Sequence, residues 1–251
     1  MQWRVFAITH QLRTAKNRAR PSPKRSQAHQ SGGTKSLDFA VLLARRLPFA
    51  EETLNRRRAI LASHLVLHGY AHWLSNDPRG SGSESVRKDE LQTLGEIHPG
   101  RKRVQPRRNE LKEFYLDAEP LLDHETVWFD DAMRVVIATA IGEAAARFGY
   151  TIWALSICSN HGHVVVRRHR DRAEVIWQRL ADASRDALRG AGLVPKDHPV
   201  WSHRPYKVFL YDVVDVNGRI DYVEDNPGKE GLPRQHRDCA REYPQRECRN
   251  R

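Results

Sequence analysis

Two histidines in an apolar, β-branched stretch are the residues of this chain best placed to do chemistry. His161 and His163 lie two positions apart in the segment TIWALSICSNHGHVVVRRHR, residues 151–170. Successive side chains of a strand point to opposite faces, so residues i and i+2 project side by side. Neutral imidazole is the commonest metal ligand among side chains. The spacing therefore predicts half of a metal site on one face of a strand.

A second group of reactive residues follows near the end of the chain. The segment DYVEDNPGKEGL, residues 221–232, supplies Tyr222 and, four positions later, Asn226. Residues four apart share one side of a helix, and Pro227 predicts that this helix ends near Asn226. Two histidines, a tyrosine and a carboxamide suggest metal-assisted phosphodiester cleavage through a covalent tyrosine intermediate. The structural alternative is that Tyr222 packs at a helix edge and Asn226 caps the next turn.

Hydropathy patterns predict the elements that must position these residues. Apolar runs indicate strands and periodic apolar residues indicate helices. The predicted elements are strand 63–74, helices 109–122 and 130–148, strands 150–158 and 161–167, helix 171–188, strand 206–211 and helix 216–225. This order predicts an α+β fold: a ferredoxin- or RRM-like antiparallel sheet with helices on one face and the other face partly open. Alternation along the strand places His161, His163 and Val165 on the open face, within reach of the C-terminal helix that carries Tyr222.

The basic charge of the chain is concentrated at its beginning. Of the 42 basic and 31 acidic residues, residues 1–62 hold 13 and 3, so the rest is nearly neutral. Residues 14–36 nearly lack large apolar side chains, so we expect 1–62 to be a basic, largely disordered extension. Such an arm either adds salt-sensitive DNA affinity or has no structural role. We expect a catalytic domain over 63–236, interrupted by an excursion at 79–125 and followed by a polar tail, 237–251.

The apolar runs and the cysteine content indicate the cellular compartment in which the protein is expected. No apolar run approaches the ~20 residues that span a bilayer, and the N-terminal apolar stretch is too interrupted for a secretory signal. Three cysteines do not make a paired disulfide framework, which agrees with a reducing compartment. We therefore expect a cytoplasmic protein with no membrane partner.

Three segments together resemble a known family. They are SNHGHVVV (159–166), HPVWSHRPYKVFLYD (198–212) and IDYVEDNPGKEGL (220–232). In this order and spacing they look like the HUH tyrosine transposases, specifically the REP-associated tyrosine transposase branch. The resemblance implies that Tyr222 attacks phosphorus to leave a 5′-phosphotyrosine, while His161, His163 and Asn226 hold Mg²⁺ or Mn²⁺. It also implies strand transfer on single-stranded, hairpin-containing DNA.

Basic and aromatic residues near these motifs are candidates for DNA contacts, because single strands are held by basic grooves and aromatic platforms. The candidates are Arg167, Arg168, Arg170, Trp201, Arg204 and Lys207. Trp201 has a core or lid position as its alternative. Tyr206 and Tyr211 are competing nucleophiles, although their predicted strand positions suit edge or core aromatics.

One departure from the family pattern bears on activity. Gly162 stands between the histidines where the family carries a bulky apolar side chain, so we expect a weaker strand and a lost core anchor. A domesticated or inactive nucleic-acid-binding derivative of the same fold, without cleavage activity, is therefore the alternative function. A barrel-type metal hydrolase is a third alternative, and the sequence disfavours it because such a barrel needs many more strand–helix units than the 88 residues after His163 can supply. The sequence leaves monomer and homodimer both open.

Overall fold

The computed structural model describes residues 59–86, 88–203 and 206–245, and the elements below belong to a unit that begins at Ile60. The predictions for residues 1–58 and for Arg204 lie outside the described residues. Among the described residues, every helix is too short or too polar to cross a membrane.

Four strands and five α-helices make up this part of the chain. The strands are β1 (Ala62–His68), β2 (Ile152–Ile157), β3 (His161–Arg167) and β4 (Tyr206–Leu210). The helices are α1 (Asp89–Gln92), α2 (Arg108–Ala118), α3 (Asp131–Phe148), α4 (Ala173–Gly190) and α5 (Val213–Asp225). Short 3₁₀ helices follow α2 at Glu119–Leu121 and α5 at Asn226–Glu230.

The strands form one antiparallel sheet in the order β2-β3-β1-β4, so β1 and β3 are the two central strands. Along the chain, β1, α3, β2, β3, α4 and β4 follow the β-α-β-β-α-β order of ferredoxin-like sheets. The predicted α+β class with an antiparallel sheet is confirmed. The central position of β1 and β3 matters for the site, because both neighbours of each strand fix its register.

Helices cover both faces of the sheet, which corrects the expectation that they lie on one face. Helices α3 and α4 pack on the face that carries Leu65, Val164 and Val166. Helix α5 packs on the opposite face, where its buried stripe meets Val165 of β3. The stripe consists of Val216, Ile220 and Val223, all fully buried. The helix that carries Tyr222 therefore partly covers the face that was expected to be open.

Local signals in the sequence explain where the helices around the site begin and end. The Asp130 carboxylate accepts a hydrogen bond of 2.8 Å from the Met133 amide, and Asp212 does the same for Asp215 at the start of α5. Such caps satisfy amides that have no partner inside the helix. Helix α5 ends before Pro227, which lies inside the following 3₁₀ turn.

The segment predicted as an excursion is anchored by a buried carboxylate in the loop that follows β1. Asp77 has a fully buried side chain and accepts hydrogen bonds from the Arg79 guanidinium at 2.6 Å and from the Tyr115 hydroxyl at 2.5 Å. Tyr115 belongs to α2, so the 79–125 segment is anchored through a charged network. Burying Asp77 without these partners would cost several kcal/mol.

The stretch predicted as a polar tail also contacts the sheet. The Arg241 amide donates to the Ile152 carbonyl at 2.8 Å, beside a parallel bridge between Ile152 and Ala240. Tyr243 is buried, with its ring centroid 4.5 Å from that of Trp153. Residues 237–245 are polar in composition, yet they cover the outer edge of β2.

Gly162 does not leave the core empty. A Cβ at this position would lie 3.0 Å from the Ile157 Cδ1 atom, so the Ile157 side chain fills the space where a larger residue would sit. Strand β3 is paired on both sides along its length. The expected loss of a core anchor is therefore offset by Ile157 on the neighbouring strand.

Candidate active site

Four histidines lie on one face of the two central strands. In the antiparallel register, His68 of β1 is directly opposite His161 of β3, and Val66 is opposite His163. His64 lies two residues before Val66, so it projects from the same face. His161 and His163 have ring centroids 4.7 Å apart, which is the side-by-side placement that their spacing predicts. The two β1 histidines were not among the predicted site residues.

A hydrogen bond of 2.9 Å connects the His64 Nε2 and His163 Nδ1 atoms, and both side chains are buried. The second nitrogen of each ring, His64 Nδ1 and His163 Nε2, has no hydrogen-bond partner among the described residues. Burial lowers the pKa of His64 to about 3 and lowers the pKa of His163 further. Both rings are therefore neutral at physiological pH, the form in which imidazole can bind a metal ion.

His161 contacts two carboxamides. Its Nδ1 atom lies 2.6 Å from the Asn160 Oδ1 atom, and its Nε2 atom lies 3.0 Å from the Asn226 Nδ2 atom. One tautomer satisfies both contacts: Nδ1–H donates to Asn160, and Nε2 accepts from Asn226. Burial lowers the pKa of His161, against the opposing negative charge of Glu230.

Tyr222 projects from α5 over the histidine pair. Its ring centroid lies 5.5 Å from that of His163 and 6.1 Å from that of His64. Its side chain flanks the buried stripe of α5, and the residue is 39% exposed, so a ligand in solvent can reach it. The structure thus brings Tyr222, His161 and His163 together within one chain, while the catalytic roles of these residues stay predictions.

Asn226 is buried at the junction of α5 and the 3₁₀ turn. Its amide nitrogen faces His161 and also donates to the Cys158 sulfur at 3.4 Å, while its Oδ1 atom accepts from Lys229 at 2.8 Å. A metal ion requires a carboxamide oxygen, not the nitrogen. A metal ion held by the predicted set of His161, His163 and Asn226 therefore requires the amide to be turned, a rotation that exchanges the places of its two atoms.

Two cations that were not predicted lie beside the tyrosine. The Lys229 ammonium is 4.2 Å from the centroid of the Tyr222 ring, and the Arg219 guanidinium carbon is 5.5 Å from it. Arg219 precedes Tyr222 by one helical turn, so helical periodicity could have identified it. Both side chains place positive charge beside the Tyr222 ring.

Cys158 and Glu230 complete the surroundings of His161. The Ser159 amide donates to the Glu230 Oε2 atom at 2.8 Å, and Glu230 Oε1 lies 3.8 Å from His161 Nδ1. Burial raises the pKa of the Cys158 thiol to about 12, with the charge of Glu230 adding to the effect. The ligand atoms of Cys158, His161 and Glu230 all lie within 4.8 Å of one another.

The predicted DNA contacts do not form one surface. Arg167, Arg168 and Arg170 are exposed, but Arg167 is the last residue of β3 and the other two follow it. Arg167 is six residues or about 20 Å along the strand from His161. Lys207 forms an ion pair with Glu174 of α4.

Trp201 is buried and cannot serve as a stacking platform, which corrects its assignment as a DNA contact. It is 4% exposed, its indole N–H donates to the Ser184 hydroxyl at 3.0 Å, and it packs against Phe129. Burying the large apolar surface of an indole stabilises the fold, which favours a core position for Trp201 over an exposed one.

The fold and site define an α+β protein with a histidine–tyrosine cluster on one face of its sheet. No protein-family model and no curated protein matches the chain. Among solved structures, it is similar to a REP-associated tyrosine transposase bound to a REP hairpin, with 13% identity and a TM-score of 0.37. The match covers 70% of this chain and 73% of that chain. Likeness at this level does not define a family for the chain.

Proposed function

We propose that this protein is a metal-dependent endonuclease and strand transferase for single-stranded, hairpin-containing DNA, with Tyr222 as the nucleophile. The observation that carries the proposal is the half-exposed phenol ring 5.5 Å from the buried, neutral His163 ring. Buried histidines beside an accessible hydroxyl suit phosphodiester chemistry better than a packing role, because a packing role leaves His163 Nε2 without a partner.

The histidine pair has the chemistry to hold the metal ion. Burial keeps His161 and His163 neutral, and a turned Asn226 amide adds an oxygen ligand. The resemblance to the HUH tyrosine transposases implies that the ion is Mg²⁺ or Mn²⁺, and three protein ligands leave positions for water and phosphate oxygens. When bound, such an ion polarises the scissile phosphate and holds a non-bridging oxygen.

The other site residues bind and orient the phosphate. Arg219 and Lys229 lie beside the Tyr222 ring and neutralise charge at the phosphate that the phenol attacks. In the cleavage step the Tyr222 oxygen forms a bond to phosphorus and the bond from phosphorus to the 3′-oxygen breaks. The phenol loses a proton and the leaving 3′-hydroxyl gains one. Strand transfer is the reverse reaction with a different 3′-hydroxyl.

The site does not need a second copy of the chain to acquire its tyrosine. Tyr222 and His163 of the same chain are in ring contact, so we propose that cleavage uses a tyrosine from the same subunit as the histidines. A homodimer that presents two such sites is compatible with this arrangement.

A covalent adduct with DNA tests the proposal. Labelled hairpin DNA incubated with the full chain and Mn²⁺ should give an adduct that survives denaturing electrophoresis. Tyr222→Phe should abolish the adduct and retain DNA binding. Tyr206→Phe is the matched control, because Tyr206 shares the histidine face but lies opposite Val66, two strands from His163.

The alternative function, DNA binding without cleavage, is favoured by the present orientation of Asn226. Its amide nitrogen occupies the approach to His161, and Lys229 holds its oxygen away. That function predicts hairpin binding with no adduct under any divalent ion. An adduct that persists in Tyr222→Phe, or one lost only in Tyr206→Phe, would reassign the nucleophile.

A further inference from the structure

A sulfur-containing cluster shares His161 with the proposed catalytic residues, and its other two members, Cys158 and Glu230, have no role in DNA cleavage as described above. Cys158 directly follows β2, His161 begins β3, and Glu230 ends the 3₁₀ turn after α5. Their ligand atoms lie within 4.8 Å of one another. Among the described residues, this is the cluster of histidine, cysteine and acidic side chains that could hold a metal ion.

The distances are close to those of a tetrahedral zinc site. Zinc–sulfur bonds of ~2.3 Å and zinc–nitrogen bonds of ~2.0–2.1 Å imply ligand separations of roughly 3.3–3.8 Å. Cys158 Sγ and His161 Nε2 also contact one common atom, the Asn226 amide nitrogen, at 3.4 and 3.0 Å. The two side chains therefore already converge on one position, and shifts of about 1 Å would close the site. Binding there exchanges two weak hydrogen bonds of Asn226 for two metal bonds.

The charges of the cluster suit a divalent ion. A thiolate and a carboxylate carry two negative charges, which a divalent cation neutralises in this largely buried place. The Ser159 amide holds Glu230 Oε2, and the other carboxylate oxygen, Oε1, lies 3.8 Å from His161 Nδ1. A thiolate ligand selects a soft or borderline metal over Mg²⁺. On binding, the Cys158 thiol proton is released to solvent.

We propose that Cys158, His161 and Glu230 bind a thiophilic divalent ion of the Zn²⁺ class. Metal binding at this site does not depend on DNA cleavage, so it can be tested independently of the proposed function. It shares His161 with the predicted Mg²⁺ or Mn²⁺ site, so the two ions exclude each other. Zn²⁺ bound here removes one histidine from the catalytic pair.

Cobalt spectroscopy on the full chain tests the site directly, because a thiolate bound to Co²⁺ gives a near-ultraviolet charge-transfer band. Metal-free protein titrated with Co²⁺ should develop this band together with visible bands of tetrahedral Co²⁺, and added Zn²⁺ should remove both. Cys158→Ser should lose the charge-transfer band. Cys239→Ser and Cys248→Ser are the matched controls and should retain it.

Glu230→Gln provides a second variant that leaves the buried thiol in place. We expect its Co²⁺ affinity to fall at least tenfold while the charge-transfer band at saturation persists. A band that survives in Cys158→Ser, unaltered affinity in Glu230→Gln, or a folded wild-type chain that gives no band would each overturn the proposal. None of these readouts requires cleavage of DNA.

Discussion

His64 and His163 lie on adjacent central strands and share a 2.9 Å hydrogen bond between His64 Nε2 and His163 Nδ1. If His163 Nδ1 carries the proton, His163 Nε2 presents a lone pair that no described residue occupies. Histidines that bind metals commonly donate their other N–H to a neighbour, which fixes the tautomer and the ring orientation. His64 is thus placed to position His163 without itself contacting the phosphate.

The first prediction concerns this positioning contact. His64→Ala should lower Mn²⁺ affinity and adduct formation by about 10–100-fold, the usual effect of losing a partner behind a metal ligand. His64→Gln should restore most of the loss, because its side-chain amide can reach the position of the Nε2 atom. Mn²⁺ binding can be measured by calorimetry on both variants, independently of cleavage. Equal losses of Mn²⁺ affinity in the two variants would show that His64 acts only by filling the core.

The second prediction concerns stability at acidic pH. Burial and the charge of Arg219 lower the pKa of His64 to about 3, and burial lowers the pKa of His72 to about 4. In the unfolded chain these groups take up protons near pH 6.5, so only the unfolded state gains protons as the pH falls below that value. The free energy of unfolding should be highest above pH 6.5 and fall as the pH drops towards 4. Each histidine contributes a slope of up to roughly 1.4 kcal/mol per pH unit.

Urea unfolding between pH 7 and pH 5 measures this slope. His64→Gln should reduce the slope by the contribution of one histidine, whatever its effect on stability at pH 7. His72→Gln should do the same, because burial lowers the pKa of His72 despite its 2.6 Å hydrogen bond with the Val127 carbonyl, which acts in the opposite direction. A stability that does not change between pH 7 and pH 5 would mean that these histidines take up protons in the folded protein.

Short-range patterns in the sequence predicted several of the strands and helices. β3 was predicted at its observed bounds, and the buried stripe of α5 and the capping role of Asp130 follow from helical spacing and capping chemistry. These features depend on neighbours in sequence, which a single chain displays. The α5 helix on the second face was missed, because the direction in which a helix crosses a sheet depends on contacts between distant residues.

The site residues that the sequence did not reveal also depend on contacts between distant parts of the chain. His64 and His68 lie four apart in a β1 segment of alternating residues, but only the pairing of β1 with β3 brings them beside His161 and His163. Trp201 was assigned to DNA by its basic neighbours, and its burial depends on α4 and on Phe129. Residue type and spacing were enough to identify the reactive groups. The histidines that support them could be identified only from the pairing of the strands.

The last prediction assigns base stacking to Trp73 instead of the buried Trp201. Trp73 follows β1, is 38% exposed, and has its ring centroid 6.0 Å from that of His68, the cross-strand neighbour of His161. The Arg79 guanidinium carbon lies 3.9 Å from the centroid of the Trp73 ring. Arg79 is paired with Asp77, so the exposed indole is the group next to the site that can stack a base.

Trp73→Ala should therefore weaken binding of single-stranded hairpin DNA by about 1–3 kcal/mol, the usual contribution of one stacked base. The salt dependence of binding should not change, because no charge is lost. Measurements in a Tyr222→Phe background keep binding non-covalent, and Val135→Ala, an exposed apolar residue on α3, controls for general surface effects. Trp73→Phe should retain most of the affinity, because a phenyl ring still offers a face for stacking. If Trp73→Ala binds DNA as tightly as Val135→Ala, the bases lie elsewhere on the protein and Trp73 has no part in recognition.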